Sequence, residues 1–449
     1  MNQRWTLHVE NFARIKEADI EISPLMCFIG DNNSGKSYMM SLLWGLLSSG
    51  EVMLNKSHID KFSTSTINFL DEWLDSNIGK EIILNNEIQK EYVKWFNELL
   101  GECKLDLVRH IFNYDIEIDK LIISNFETKN EIVINVNFDN DMFDLEFKIN
   151  GDLSFGLHSF SGERKKLIRQ LNFLISWNLL TRGLTAPLPP AHIVDYPVYL
   201  PASRTGFILT YTNIASSAIK TVFSKKSPPD LTETLTLPYI NFLQNLIMLK
   251  VLKNPLPGRK DHLLDFLKKY LIKGEVSLKE DIGVIKYKPN DIENELSMSV
   301  TSSVVTEIAA IYLILNSHHN CPLFIIEEIE AHLHPELQKR IAQFTIRLIH
   351  SGINVWITTH SDTILQHFNN MIKLYNRSEQ ERDELLKQFN YTKDDLLSPD
   401  EIKLYQFTRE KNFTIIEEPP LKKYGFVVHS FNKAIDELSK EIFAFQEDD

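Results

Sequence analysis

Residues 7–24 (LHVENFARIKEADIEISP) alternate apolar and polar side chains around a turn near Ala13-Arg14, the period of two half-buried strands or a hairpin. Met26-Cys27-Phe28-Ile29 is an unbroken apolar run, a short buried strand that leads straight into a glycine-bounded loop. From Ser37 to Leu47 the apolar spacing becomes helical, and residues 55–113 continue as amphipathic helix. Within Ile88 to Leu100, Tyr92, Trp95, Phe96 and Leu99 share one face. Period two returns over 114–151, clearest in EIVINVNFDNDMFDLEFKING, and predicts antiparallel strands. Residues 161–182 and 205–272 read as helix, the second stretch broken at Ser227-Pro228-Pro229 and Pro255-Leu256-Pro257-Gly258. Thr185 to Pro197 is a Pro-rich connection, and a hairpin is expected at 274–288. From 302 the order is helix, strand, helix, strand: Ser303 to Leu315, Leu323 to Ile326, Pro335 to Ile349, Val355 to Thr358. The tail offers a helix (Glu379 to Phe389), a strand (Phe413 to Ile416) and a last amphipathic helix (Phe431 to Phe445). Ile435, Leu438 and Ile442 share a face of that helix, which either packs on its own domain or docks a partner.

Short apolar strands separated by helices predict an α/β fold with a largely parallel sheet covered on both faces. The core pattern occupies 1-50 and 300-375. Residues 51-299 differ in texture and read as an inserted helical and β subdomain, with strands near 115-150 and 274-288 joining the core. Residues 376-449 read as a small C-terminal tail. The 449 residues fit one large domain with insertions, or two to three domains.

Composition narrows the function class. The chain is 43% hydrophobic and 24% charged, an ordinary globular mix, with a formal net charge of -13. So acidic a chain is not a general polyanion binder; nucleic-acid contact would need a local basic surface or a partner. Candidates are Arg164 to Arg169 (RKKLIR), Lys225-Lys226 and Lys268-Lys269, each of which also reads as a solvated helix face. Cys27, Cys103 and Cys321 form no CxxC, which argues against a zinc site or a disulfide framework. The start lacks the apolar stretch of a signal peptide. The longest apolar run, Ile308 to Leu315, is far short of the ~20 residues of a membrane span. A soluble, cytoplasmic protein without a membrane partner is expected.

Three motifs carry chemistry. Gly30-Asp31-Asn32-Asn33-Ser34-Gly35-Lys36-Ser37 matches G-x-x-x-x-G-K-[ST] between a strand and a helix. Glycines let the loop turn its N–H groups towards a phosphate, and the helix adds its positive end. Lys36 supplies a charge between β- and γ-phosphates, and the Ser37 hydroxyl can ligate Mg²⁺. Pro322 to Ile326 is an apolar strand that ends in Glu327-Glu328; the first carboxylate can serve the Mg²⁺ shell and the second can polarise the attacking water. Adjacent carboxylates at a buried strand end need a cation or donors nearby. Val355 to Thr358 is a second apolar strand with a polar tip, where a neutral His360 can hydrogen-bond a γ-phosphate. A lone histidine is more often structural, but this one follows the acidic strand and one helix.

In this order the motifs resemble the ABC-type ATPases of the SMC, RecF and OLD group. HVENFARIKEADIEISPLMCFIGDNNSGKS is similar to that group's N-terminal sheet and P-loop, and IIEEIEAHLHPELQ to its Walker B and D-loop, with Ile329 where the group commonly has Pro. WITTHSD is similar to its switch-histidine strand. The resemblance covers roughly the first 50 and last 150 residues. It implies an ABC-type P-loop ATPase head with a mixed, mostly parallel sheet and a large α+β/helical insertion, using ATP and Mg²⁺. It makes Glu327 the Mg²⁺-side acid, Glu328 the catalytic base and His360 the switch histidine, with residues 31–37 on the phosphates. Such heads pair head to tail, and a signature motif of one closes on the ATP of the other. Ser302-Ser303 stands where that signature belongs, though Val304-Val305 replace its glycines; the plainer reading is an ordinary serine cap. Tyr199 to Arg204 resembles a Pro-x-x-Arg segment of OLD-like ATPases, so Arg204 either approaches nucleotide or partner, or makes a surface salt bridge. No Q-loop glutamine can be placed.

The 89 residues after His360 are short for the TOPRIM nuclease domain of OLD proteins, and Asp394-Asp395 and Asp400-Glu401 read instead as a solvated helix start. No heptad array builds a coiled-coil arm. The outline resembles the ATPase subunits of bacterial anti-phage systems such as Septu and PARIS, which implies a nucleotide-gated regulator of a separate, nuclease-like effector. A RecF-like DNA-repair ATPase is the alternative, and a transporter subunit a weaker one.

Overall fold

The computed structural model describes residues 3–53, 64–139, 142–161, 163–181, 184, 197–223, 235–249, 261–279, 284–317, 321–422, 425–428 and 438–445. Among the described residues, sixteen strands fall in three sheets. In chain order they are β1 (Gln3–Phe12), β2 (Ile15–Glu21), β3 (Leu25–Gly30), β4 (Glu81–Ile83), β5 (Lys120–Thr128), β6 (Ile132–Asp139), β7 (Met142–Ile149), β8 (Asp152–Ser161), β9 (Val198–Leu200), β10 (Gly274–Lys279), β11 (Val284–Pro289), β12 (Leu296–Ser297), β13 (Leu323–Ile326), β14 (Asn354–Thr358), β15 (Ile402–Arg409) and β16 (Thr414–Glu417). The principal sheet runs β5-β1-β2-β16-β15-β3-β14-β13-β9. Five of its eight pairings are parallel, so the mixed, mostly parallel sheet is as expected.

The strand sequences explain why both faces are covered. In β3, Met26 and Phe28 enter one core while Leu25, Cys27 and Ile29 enter the other. β13 divides Leu323 and Ile325 from Phe324 and Ile326, and β14 divides Trp356 from Val355 and Ile357. An alternating side-chain direction with apolar residues at every position demands a layer on each side. Helices Lys36–Ser48, Asn86–Phe112 and Arg164–Thr181 cover the first face. Helices Ser303–Leu315, Pro335–His350 and Asp362–Tyr375 cover the second. The predicted stripe of Tyr92, Trp95, Phe96 and Leu99 is buried. No described helix is long and apolar enough to cross a membrane.

Several expectations change. Residues 376–449 are more than a tail, because β15 and β16 fill the principal sheet between β3 and β2. Of the strands expected to join the core, only β5 does so. β4, β6, β7 and β8 form a separate antiparallel sheet, and the hairpin at 274–289 forms another with β12. That hairpin packs its Val276, Ile285 and Tyr287 into the second core from the side. Asp395 is not solvated: it is fully buried and receives Arg347 Nε at 2.7 Å. Leu438 and Ile442 stay exposed in the described part of the last helix, and Ile435 lies outside the described residues. The Pro-rich breaks at 227–229 and 255–258, residues 185–196 and Lys225-Lys226 also lie outside them.

Candidate functional site

Every chemical motif sits at one edge of the principal sheet. The parallel register aligns Phe28 with Thr358 and Ile357 with Ile326, so β3, β14 and β13 all end at that edge. With strands spaced about 4.8 Å apart, the loop after β3 and the carboxylates after β13 stand roughly 10 Å apart, flanking the tip of β14.

The loop at residues 30–37 folds around the Lys36 ammonium. Nζ donates to the Gly30 carbonyl at 3.0 Å, the Asp31 carbonyl at 2.6 Å and Ser34 Oγ at 3.5 Å. Burial pushes the Lys36 amine down to about 8, opposed by the charges of Asp31, Glu328 and Glu330. Gly30 and Gly35 hold φ of 122° and 96°, where an L side chain is strained. Gly30 also lies so close to β15 that a Cβ there would run into the Phe407 carbonyl. Asn33, at φ 57°, takes the left-handed conformation that Asn tolerates. Asn32 is exposed at the loop tip. Helix Lys36–Ser48 has no acidic residue in its first turn, so nothing on it neutralises its positive end.

Glu327 is buried, with both oxygens occupied. Oε1 accepts from Tyr199 Oη at 2.6 Å; Oε2 accepts from Tyr239 Oη at 3.1 Å and the Ala202 amide at 3.2 Å. Burial, and then the Glu327 charge, push the Tyr199 phenol well above its ordinary range, so it stays a donor. Glu327, Ser37, Ser41 and Tyr239 line a common cavity of about 370 Å³. A hydroxyl and a carboxylate facing one space are the hard oxygen donors that suit Mg²⁺.

Glu328 is exposed, and its backbone is bent into the left-handed region at φ 43°. Its amide donates to Thr358 Oγ1 at 2.8 Å, which ties it to β14. A glutamate held there stores strain of the kind found at functional turns. His360 follows β14, and its amide donates to Glu330 Oε1 at 2.5 Å. Burial and the nearby Lys36 charge lower the His360 imidazole pKa, against the pull of Glu330, Glu328 and Asp31. The structure thus brings together residues 30–37, Glu327, Glu328 and His360.

Ser302 and Ser303 are exposed at the start of helix Ser303–Leu315, and the Ser302 side chain makes no capping bond. Arg204 is not a surface residue. It is 2% exposed, contacts buried Glu307 and donates to the carbonyls of Glu327 and Glu328. Sequence reasoning assigned no role at the site to Tyr199, Tyr239, Thr358, Glu330 or Glu307. Glu307 carried a signal: it is the lone charge in a largely apolar helix (SVVTEIAAIYLIL), which demands a buried partner. In two of the basic clusters some cations are already paired, although Lys165 and Lys269 are exposed. Arg164 and Arg169 bond Asp75 and Asp71, and Lys268 pairs with Glu275.

Residues 6–365 match the model of the AAA ATPase domain family. Among solved structures, the SMC head domain from Thermotoga maritima is similar at 12% identity and TM-score 0.33, over 94% of this chain and 100% of that one. An SmcHead bound to the C-winged helix domain of ScpA is similar at 14% identity and TM-score 0.36, over 93% and 98%. The Smc head domain with an extended coiled coil, bound to the C-terminal domain of ScpA derived from Pyrococcus furiosus, stands at 12% identity and TM-score 0.33, over 97% and 98%. No curated protein matches the chain.

Proposed function

Because this chain belongs to the AAA ATPase domain family, we propose that it hydrolyses ATP between two copies of itself and thereby gates a separate protein effector. The observation that carries the catalytic part is the shared sheet edge of residues 30–37, Glu327, Glu328 and His360. Triphosphate oxygens exchange for the carbonyls now around Lys36, with the loop amides and the helix N-terminus behind them. Ser37 and Glu327, which line one cavity, would hold Mg²⁺, and the ion would supply charge neutralisation for the phosphates. Glu328, exposed on its bent turn, accepts a proton from the attacking water. His360, kept neutral by burial and Lys36, donates to the γ-phosphate. Uncapped Ser302 and exposed Ser303 close over the nucleotide of the second copy.

We read the effector as a nuclease-like partner in anti-phage defence, a reading supported by the resemblance of the chain's outline to ATPase subunits of such systems. A RecF-like direct DNA contact is less favoured, because Arg164 and Arg169 are already paired with Asp75 and Asp71. One experiment tests both parts. The tagged chain and its Lys36→Ala variant are purified with and without nuclease treatment. The wild type should turn over ATP with Mg²⁺, the variant should not, and a protein partner should survive nuclease. Absence of turnover defeats the enzymatic reading, and loss of the partner on nuclease treatment favours nucleic acid.

A further inference from the structure

Arg204 opens helix Arg204–Phe223 directly after β9, and its guanidinium is shared between two elements. On one side its Nε lies 2.7 Å from Glu307 Oε2, an ion pair without hydrogen-bond alignment, with both side chains almost wholly buried. On the other, Nη1 donates to the Glu327 carbonyl at 2.6 Å and the Pro201 carbonyl at 3.1 Å, while Nη2 donates to the Glu328 carbonyl at 3.2 Å. Glu307 is anchored further, accepting at Oε1 from the Thr205 amide at 3.2 Å and its hydroxyl at 2.6 Å. His332 Nε2 lies 4.0 Å from Glu307 Oε1 and is itself exposed.

Glu307 lies one turn inside the helix that begins at Ser303. The same planar fork therefore grips that helix and the strained turn bearing the two carboxylates. A guanidinium is rigid, and losing either set of contacts would strand a buried charge. We propose that Arg204 is a positioning residue that couples closure of a second head on Ser302–Ser303 to the placement of Glu327 and Glu328. This rests on the paired-head reading above and adds the connection between its two halves.

The test is turnover per chain against protein concentration for the wild type, Arg204→Lys and Glu307→Gln, alongside binding of a fluorescent ATP analogue. Lysine keeps the charge but cannot reach all three carbonyls. Glutamine keeps the Arg204 donors and removes the ionic grip on the helix. Wild-type turnover should rise with concentration as heads pair. In both variants that rise should shrink by on the order of tenfold, the size of a typical coupling. Analogue binding should stay within about twofold, since the P-loop is untouched. Parallel rises in all three proteins would overturn the coupling alone. A flat wild-type profile would remove the paired-head reading and the coupling with it. A variant that no longer binds the analogue would show that the pair merely holds the fold, and would also overturn the proposal.

Discussion

The phenol of Tyr199 donates to Glu327 Oε1 at 2.6 Å, beneath the cavity that Ser37 and Tyr239 line. Tyr199 is fully buried, so the bond is sheltered and the carboxylate is held in one orientation. Tyr199→Phe keeps the ring and deletes the donor. It should cost roughly 1–3 kcal/mol of stability, read as a lower thermal midpoint. It should also raise the Mg²⁺ concentration needed for half-maximal turnover. An unchanged midpoint and Mg²⁺ profile would detach Tyr199 from the site.

Gly30 lies against β15, with the Asp31 amide donating to the Phe407 carbonyl at 3.1 Å. A methyl group would collide with that carbonyl while occupying φ 122°. Gly30→Ala should therefore spread β3 from β15 and weaken binding of a fluorescent ATP analogue by at least about tenfold, on the scale of a strained backbone of 1–3 kcal/mol. Gly101 is the control: a Cβ there meets nothing within 4 Å, and Gly101→Ala should bind normally.

Glu328 offers its carboxylate to solvent while its main chain is fixed by Thr358 and Arg204. Glu328→Gln preserves shape and removes the base. Binding of ATP should be retained, turnover should fall by about 10²–10⁴-fold, and a nucleotide-bound pair should accumulate on a sizing column. Turnover within a few-fold of wild type would mean that another group activates the water.

The motif strands were legible because both of their faces are buried, which leaves continuous apolar runs at β3, β13 and β14. β15 was not, since Lys403 and Gln406 interrupt it. Lys403 is tolerated because Glu21, from the other end of the chain, and Glu418, 15 residues on, each come to 2.9 Å. Asp395 misled for the same reason, its partner Arg347 lying on a distant helix. The hairpin at 274–289 was legible as two strands, but alternation specifies faces and not neighbours, so its separate sheet was not. The tyrosines on Glu327 leave no local period at all, because a phenol's partner is chosen by tertiary contact.

Ser303 is exposed at a helix start whose capping residue, Ser302, makes no side-chain capping bond. Ser303→Arg leaves the P-loop untouched but places a long cation where a second head would close. Analogue binding by the single chain should persist, and concentration-dependent turnover should disappear. Full activity would show that this serine faces no partner.

His367 is 3% exposed on helix Asp362–Tyr375, beside the Tyr391 ring at 5.8 Å, and its Nε2 finds no hydrogen-bond partner. Burial, reinforced by the Lys339 charge and opposed by Asp395, pushes the imidazole down to about 4. The folded pKa is thus below the unfolded value of about 6.5, and the unfolded chain binds the extra proton. Stability owed to neutral His367 is fully present above pH 6.5 and is lost as pH falls towards 4, by roughly 2–4 kcal/mol in all. His367→Phe fills the site without a titrating group. Urea unfolding at pH 7.5 and 4.5 should show the wild type losing about 2–3 kcal/mol more than the variant. The acid loss from Glu401, whose pKa is lowered against burial by His350, is common to both chains and cancels in that difference, while Asp395, lowered against burial by Arg347, contributes to both and interacts with His367 only in the wild type. Parallel losses would mean that His367 takes up its proton within the fold as readily as in the open chain.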